Sequence, residues 1–268
     1  MSRATAAVRS LLPDALVYRL YANRLRRQVE HARKPEHVGV IMDGNRRWAR
    51  QVGLPDPSLG HRHGARRVDH LLRWCETAGI GFVSVFVCST ENLVQRDDAE
   101  VAFLMRVIEE LADDVRAEAH PRWSLHLAGM LDALPDGTRN ALKAAAEHTA
   151  SCATGNHLTL AVGYGGRQEV VEAVRDLLRD RAAGGAALAE VADQLSVDDI
   201  AAYLYTAGQP EPDLVIRTSG EQRLSNFLLW QSAYSELYFC DAYWPQFREI
   251  DFLRALRSYG ARQRRFGG

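Results

Sequence analysis

The chain has 268 residues, of which 47% are hydrophobic and 25% charged, and its formal net charge is -1. This length supports one sizeable core, the near-neutral charge argues against generic nucleic-acid binding, and no apolar run is long enough to span a bilayer. The four cysteines form no CxxC pair, which favours reduced thiols over a disulfide framework or a zinc site. We therefore expect a cytoplasmic protein that does not bind nucleic acid.

Residues 1–34 form a basic segment with a helical pattern. Its apolar residues recur at helical spacing and its arginines occupy the other face: Val17, Tyr18, Tyr21, Leu25 and Val29 make the apolar stripe. Such a helix could lie peripherally on an anionic membrane, or it could dock on its own domain, which is the interpretation we favour. We treat 1–34 as an N-terminal basic amphipathic helix and 35–268 as a single domain.

Strand and helix patterns alternate from residue 38 onward. Six segments have strand patterns: Val38–Met42, Phe82–Cys88, Ser124–Ala128, His157–Val162, Asp213–Ile216 and Ser235–Phe239. Helical patterns lie between most of them, and this alternation is typical of βαβ units. The prediction is an α/β fold with a central, mostly parallel six-stranded sheet flanked by helices.

The stretch HVGVIMDGNRRW, residues 37–48, places a lone carboxylate, Asp43, among cationic groups. A strand that runs into a glycine-containing turn and a helix start can cradle a phosphate, although neither a Walker A nor a GxGxxG motif is present. An aspartate beside a polyphosphate commonly holds Mg²⁺. The alternative is that Asp43 only caps the following helix.

Polar residues also follow the other predicted strands, whose carboxyl ends meet at one edge of a parallel sheet. The second strand is followed by Ser89–Asn92, and the fifth by Arg217, Arg223 and Ser225. Two guanidinium groups so close to a strand end suit fork-like recognition of a diphosphate. Glu236 begins an apolar run and needs a partner there, either a shared metal or a nearby arginine.

Together these motifs resemble the cis-prenyltransferases, the family of undecaprenyl diphosphate synthase and its shorter-chain relatives. The resemblance runs from about His37 to the last residue through HVGVIMDGNRRWA, Gly60-His61, SVFVCSTEN, GYGGR, DLVIRTSGEQRLSNFLLWQSAYSELYF and RRFGG. It implies the cis-prenyltransferase fold with an elongated hydrophobic tunnel and a catalytic domain over 35–268. It also implies the Mg²⁺-dependent condensation of isopentenyl diphosphate with an allylic diphosphate by a homodimer.

The resemblance assigns roles to individual residues. Asp43, Asn92 and His61 are implied to be catalytic, and Asp43 and Glu236 to share the metal. Substrate binding is implied for a larger set: Gly44, Asn45, Arg46, Arg47, Trp48, His61, Ser89, Thr90, Glu91, Arg96, Arg217, Arg223, Ser225, Arg265 and Gly267. The last two match an RxG element that reaches the neighbouring subunit in this family.

Features of the sequence favour a short product. Val87 stands where long-chain enzymes often have Ala, and Leu93 replaces the usual aromatic residue. With Leu104, Met105, Ile108 and Leu158 they are predicted to line the tunnel and set chain length, although each could be ordinary core. The chain resembles the actinobacterial branch that makes Z,E-farnesyl diphosphate from geranyl diphosphate. Three alternatives remain: a long-chain polyprenyl diphosphate synthase for the cell-wall carrier lipid, a non-catalytic scaffold subunit, and a phosphate-binding module or nucleotide hydrolase.

Overall fold

The computed structural model describes residues 14–118, 121–151 and 154–262. Its centre is a six-stranded sheet in the order β3-β4-β2-β1-β5-β6, in which every neighbouring pair is parallel. The strands are β1 His37–Ile41, β2 Phe82–Ser89, β3 Ser124–Ala128, β4 His157–Tyr164, β5 Leu214–Arg217 and β6 Glu236–Phe239. The predicted α/β architecture is confirmed.

Helices connect and cover these strands. In chain order they are α1 Asp14–Glu30, α2 Asn45–Gln51, α3 Leu59–Ala78, α4 Thr90–Gln95, α5 Asp98–Ala117, α6 Asp136–Thr149, α7 Gly166–Ala183, α8 Leu188–Gln194, α9 Val197–Ala201 and α10 Glu249–Ala261, with short 3₁₀ turns at Leu131–Ala133 and Trp244–Gln246. Because helices pack on a parallel sheet, its strands read as nearly continuous apolar runs, and every residue of β1 is buried.

Helix α1 docks on α10 through its apolar stripe. Leu25 is fully buried and Val29 nearly so, in the same core as Leu256 of α10. The guanidinium of Arg26 pairs with Glu249 at 2.6 Å on the rim of this contact. The described part of this segment, Asp14–Glu30, is therefore a helix packed on α10, and residues 1–13 lie outside the described residues. Within the described part of the chain, no helix is both long enough and apolar enough to cross a membrane.

Candidate active site

A polar cleft of about 440 Å³ lies at the carboxyl edge of the sheet. Segments that follow β1, β2 and β5 meet there, as the parallel topology requires. The cleft contains twelve of the predicted catalytic and substrate-binding residues: Asp43, Gly44, Asn45, Arg46, Arg47, His61, Ser89, Asn92, Arg96, Arg217, Arg223 and Ser225. The sequence prediction thus brought together residues that are far apart in the chain.

Asp43 pairs with arginines from two different segments. Its carboxylate accepts from Arg217 Nη2 at 2.8 Å and from Arg47 Nη2 at 3.1 Å. Burial opposes ionisation, but the hydrogen bonds and charges of Arg217 and Arg47 outweigh it and hold the pKa of the Asp43 carboxyl below its usual value. The carboxylate is therefore ionised at neutral pH, and it is open to the cleft.

The helix-capping alternative for Asp43 is wrong. The residue that caps α2 is Gly44, and within the described residues no side chain makes a cap hydrogen bond there. Gly44 adopts a left-handed φ of 97°, and a Cβ at this position would lie 2.5 Å from Tyr243 Cδ1. Glycine is therefore required both by the turn and by the close approach of Tyr243.

Arg217 is held at the end of β5 by the loop that follows it. Its side chain is only 5% exposed, and Nη1 donates to Ser225 Oγ at 2.6 Å. Four non-glycine residues of this loop have a positive φ, namely Ser219, Ser225, Asn226 and Leu228. Such backbone strain persists only where surrounding contacts fix it, and it is frequent at ligand sites.

The start of α7 supplies some of those contacts. Its backbone N–H groups at Gly166 and Arg167 donate to the carbonyl and the side-chain oxygen of Asn226, at 2.8 Å and 2.9 Å. A Cβ on Gly166 would lie 3.0 Å from the Asn226 carbonyl oxygen. The GYGGR segment is therefore a tight strand-to-helix turn that anchors the Arg217 loop.

Glu221 is a cleft-side residue that the sequence analysis missed. It pairs with Arg47 at 3.3 Å and also with Arg223, so one carboxylate bridges the two arginine-bearing segments. Its only signal in the sequence is its place between Arg217 and Arg223.

A second group of cations surrounds Glu100 on the opposite side of the cleft. Glu100 pairs with Arg46 at 2.8 Å and with Arg96 at 3.0 Å, and His61 Nε2 lies 3.6 Å from its carboxylate. Glu100 itself was not predicted, although its i,i+4 spacing from Arg96 is a recognisable signal. Burial, followed by the charge of Arg96, lowers the pKa of His61 to about 4. His61 is therefore neutral at pH 7 and adds no charge to the cleft.

Asn92 is fixed in orientation at the cleft wall. Its side-chain oxygen accepts from Arg96 at 3.1 Å and from the Ser89 backbone at 3.4 Å, while Ser89 Oγ accepts from the Asn92 backbone at 3.1 Å. Among the described residues, Thr90 and Glu91 do not line the cleft; Glu91 instead accepts from Asn226 at 3.2 Å.

Trp48 also lies outside the cleft lining, as far as the described residues show. Its ring packs against His63, with ring centroids 4.8 Å apart. Its predicted role in substrate binding is not supported by direct access to the cleft.

An apolar tunnel with a volume of about 520 Å³ opens from the cleft. Met42, Asn45, His61 and Val87 line both spaces and mark the mouth. The tunnel continues between the sheet and helices α3 and α5, and its walls include three further predicted residues, Leu104, Ile108 and Leu158. The cleft and the tunnel are therefore one continuous site with a charged end and an apolar end.

Leu93 and Met105 do not line this tunnel within the described part of the chain. Both belong to a core cluster with Cys88 and Leu134, which also contains the tunnel residues Leu104 and Ile108. The Leu93 Cδ1 atom lies 3.3 Å from the point where a Cβ of Gly163 would stand. The tunnel walls among the described residues therefore do not support the prediction that Leu93 and Met105 line the tunnel.

Glu236 is not brought to Asp43 within one chain. It is level with Leu214 at the start of β6, whereas Arg217, which pairs with Asp43, is level with Phe239 at the other end. The carboxylate pairs with Arg262 at 2.6 Å. The structure therefore shows the arginine partner that was the alternative, and a metal shared by Glu236 and Asp43 stays a prediction that no contact among the described residues supports. Arg265 and Gly267 lie outside the described residues.

The comparisons with known proteins agree with this geometry. Residues 41–267 match the model of the Prenyltransf family, described as "Putative undecaprenyl diphosphate synthase". The chain belongs to this family. It is an enzyme that transfers prenyl groups, as the sequence predicted.

Individual relatives match almost the whole chain. An isoprenyl transferase from Streptomyces fradiae is 64% identical over 253 residues, which are 94% of this chain and 98% of that protein. A (2Z,6E)-farnesyl diphosphate synthase from Mycolicibacterium smegmatis is 50% identical over 252 residues, 93% of this chain and 95% of the relative. The crystal structure of lavandulyl diphosphate synthase from Lavandula x intermedia with dimethylallyl diphosphate superposes with a TM-score of 0.80 at 34% identity, covering 88% of this chain and 99% of that one.

Proposed function

We propose that this prenyltransferase condenses isopentenyl diphosphate once with geranyl diphosphate to give Z,E-farnesyl diphosphate. The observation that carries the proposal is the continuity of the two spaces, since a cationic cleft opens directly into an apolar tunnel. A prenyl diphosphate has the same two-part chemistry. The names of the relatives at 50% identity support the same reaction.

Two sets of arginines in the cleft, one that follows β1 and one that follows β5, suit two diphosphates. Arg46 and Arg47 line the cleft next to the mouth residue Asn45 and would hold the allylic diphosphate. On the β5 side, Arg217, Arg223 and Ser225 would hold isopentenyl diphosphate. Within the described residues, the buried Nε donors of Arg46 and Arg217 have no hydrogen-bond partner. Diphosphate oxygens would satisfy one such donor in each group.

Each group contributes to catalysis by position and charge. The allylic C–O bond breaks as isopentenyl diphosphate attacks, so negative charge grows on the departing diphosphate. Preorganised guanidinium groups stabilise that charge without having to reorient. Asn92, whose amide is fixed by Ser89 and Arg96, would orient the reacting groups from the cleft wall.

The residues around Asp43 fit Mg²⁺ carried by a substrate. The described residues contain no group of three or more potential metal ligands, but Mg²⁺ commonly takes one or two carboxylates and completes its shell with phosphate oxygens and water. Asp43 is an ionised carboxylate that faces the cleft, so it would hold the ion together with the substrate's phosphates. The chemistry that Mg²⁺ supplies when bound is neutralisation of the leaving diphosphate.

The tunnel, with a volume of about 520 Å³, has room for a farnesyl chain, whose fifteen carbon atoms need roughly 450 Å³ at the ~30 Å³ that one water molecule takes in the liquid. The preference for this product over a polyprenyl carrier is supported by the relatives that are named for farnesyl diphosphate and short-chain synthesis.

The test is a steady-state assay with labelled isopentenyl diphosphate and, separately, dimethylallyl, geranyl or farnesyl diphosphate. We expect the highest incorporation with geranyl diphosphate, and we expect a chelator to abolish it and added Mg²⁺ to restore it. Absence of incorporation with every starter would contradict the proposal and favour a scaffold subunit. Nucleotide-stimulated phosphate release without incorporation would instead favour the hydrolase alternative.

A further inference from the structure

Trp123 lies at the end of the tunnel that is furthest from Asp43. It directly precedes β3, whose first residue, Ser124, is level with His157 at the amino edge of the sheet. The tunnel wall on β4 extends from Val162 back to Leu158, which is about 13 Å at the usual rise of a strand. Trp123 is 6% exposed and lines the tunnel beyond that wall.

A hydrogen bond to Glu76 fixes the orientation of the Trp123 indole. The indole Nε1 donates to Glu76 Oε1 at 2.7 Å, and Glu76 Oε2 accepts from Arg122 at 2.7 Å. Turning the indole away would leave its buried N–H without this acceptor, which folded proteins avoid. Among the described residues, Glu76 does not line the tunnel, so it acts on the tunnel through its two partners that do, the indole of Trp123 and Arg122.

The backbone that carries Trp123 is also held on both sides. The carbonyl of Arg122 accepts from Thr154 Oγ1 at 2.5 Å, and the N–H of Ser124 donates to the Asn156 carbonyl at 2.8 Å. Trp123 therefore cannot move aside by a simple shift of its segment.

Charged residues also line the cavity near the indole. Asp69 pairs with Arg73 at 2.7 Å and with Arg122 at 3.4 Å, and all three residues line the cavity. A prenyl chain that grew past Trp123 would have to displace the indole from its acceptor, which leaves a buried N–H unpaired.

We propose that Trp123 is the floor that limits product length and that Glu76 is a positioning residue that holds the indole across the tunnel. The proposal rests on the proposed function and deepens it by assigning the limit to a residue at the far end. It differs from the prediction for Val87, which lies at the tunnel mouth.

The experiment compares the products of four variants with those of the wild-type enzyme, using geranyl diphosphate and excess isopentenyl diphosphate. Trp123→Ala removes roughly nine heavy atoms from the floor. A longer prenyl chain then no longer has to be forced against the indole, so the fraction of product longer than farnesyl should rise about tenfold or more. Glu76→Ala should shift the products in the same direction but less. Glu76→Gln keeps an oxygen acceptor for the indole and should restore the wild-type products.

Trp74→Ala is the matched control for the loss of a tryptophan. Trp74 lies on α3 and packs against Phe247 and Phe252, with ring centroids 6.2 Å and 6.1 Å apart, and it does not line the tunnel within the described residues. This variant should lose thermal stability yet make only the wild-type product.

The outcomes separate this inference from the proposed function. If the wild-type enzyme makes farnesyl-length product and both Trp123→Ala and Glu76→Ala make the same product, the floor assignment is wrong while the function stands. If Glu76→Gln lengthens the products as much as Glu76→Ala, the positioning role of the hydrogen bond is wrong. If the wild-type enzyme makes no farnesyl-length product, the proposed function fails first. Should Trp123→Ala not fold, Glu76→Ala decides the matter, because it leaves the tunnel lining in place.

Discussion

Replacing Asp43 by Asn removes the charge at the centre of the cleft while keeping an oxygen acceptor. The carboxylate holds Arg217, whose side chain is 5% exposed, at 2.8 Å, and Arg47 at 3.1 Å. Leaving a buried partner such as Arg217 unpaired costs about 1–3 kcal/mol of folding stability. The stability lost by Asp43→Ala should lie at the upper end of this range, because this variant removes the hydrogen-bond acceptor as well as the charge. If Asp43 holds Mg²⁺, turnover should fall about a thousandfold or more, because one preorganised electrostatic contact is worth this much in other enzymes.

The two effects are measured separately, by urea unfolding and by turnover of labelled isopentenyl diphosphate. Inorganic diphosphate should raise the melting temperature of Asp43→Asn, because the added anion takes the place of the lost carboxylate beside Arg217. Asp97→Ala is the control. This exposed residue caps α5 by accepting from the Ala99 N–H at 2.8 Å, so the variant should lose about 1 kcal/mol of stability and keep its rate. A folded Asp43→Asn enzyme with a near-normal rate would refute the assignment of the metal site.

Three further predictions concern other parts of the molecule. Burial lowers the pKa of His37 to about 4, so the unfolded chain binds the proton first as pH falls. His37 alone should lower stability by about 2 kcal/mol between pH 7 and pH 5, and His37→Gln should remove that share of the drop in urea titrations while the share of His61 remains. Val87→Ala widens the tunnel mouth and should lengthen the products seen by chromatography; an unchanged distribution would exclude Val87 as a stop. Gly44→Ala forces a left-handed residue against Tyr243 and should cost about 1–3 kcal/mol in chemical denaturation, so an unaltered midpoint would contradict the turn geometry.

The sheet and most of the cleft could be predicted from the sequence for a simple physical reason. Buried parallel strands are short apolar runs, and residues that follow them converge on one edge, which is how Asp43, Asn92 and Arg217 could be grouped before the structure was known. Glu236 shows the same rule at work on a residue that the resemblance assigned to the cleft. It begins its strand rather than following it, so it belongs to the opposite edge.

Other features could not be read from the sequence. Glu100 and Glu221 are ordinary acidic residues until the fold places them between arginines. The apolar spacing of α5 identifies its buried side, but it does not distinguish Leu104, which lines the tunnel, from Met105, which among the described residues does not. Trp123 has no local signal, because its role depends on where β3 begins relative to the tunnel.

The most direct test of the account is the identity of the product formed from geranyl diphosphate. The purified enzyme would be incubated with isopentenyl diphosphate and Mg²⁺, and the dephosphorylated product compared with Z,E- and E,E-farnesol and with longer polyprenols. The account predicts Z,E-farnesol as the single product. A ladder of polyprenols, or E,E-farnesol, would contradict it.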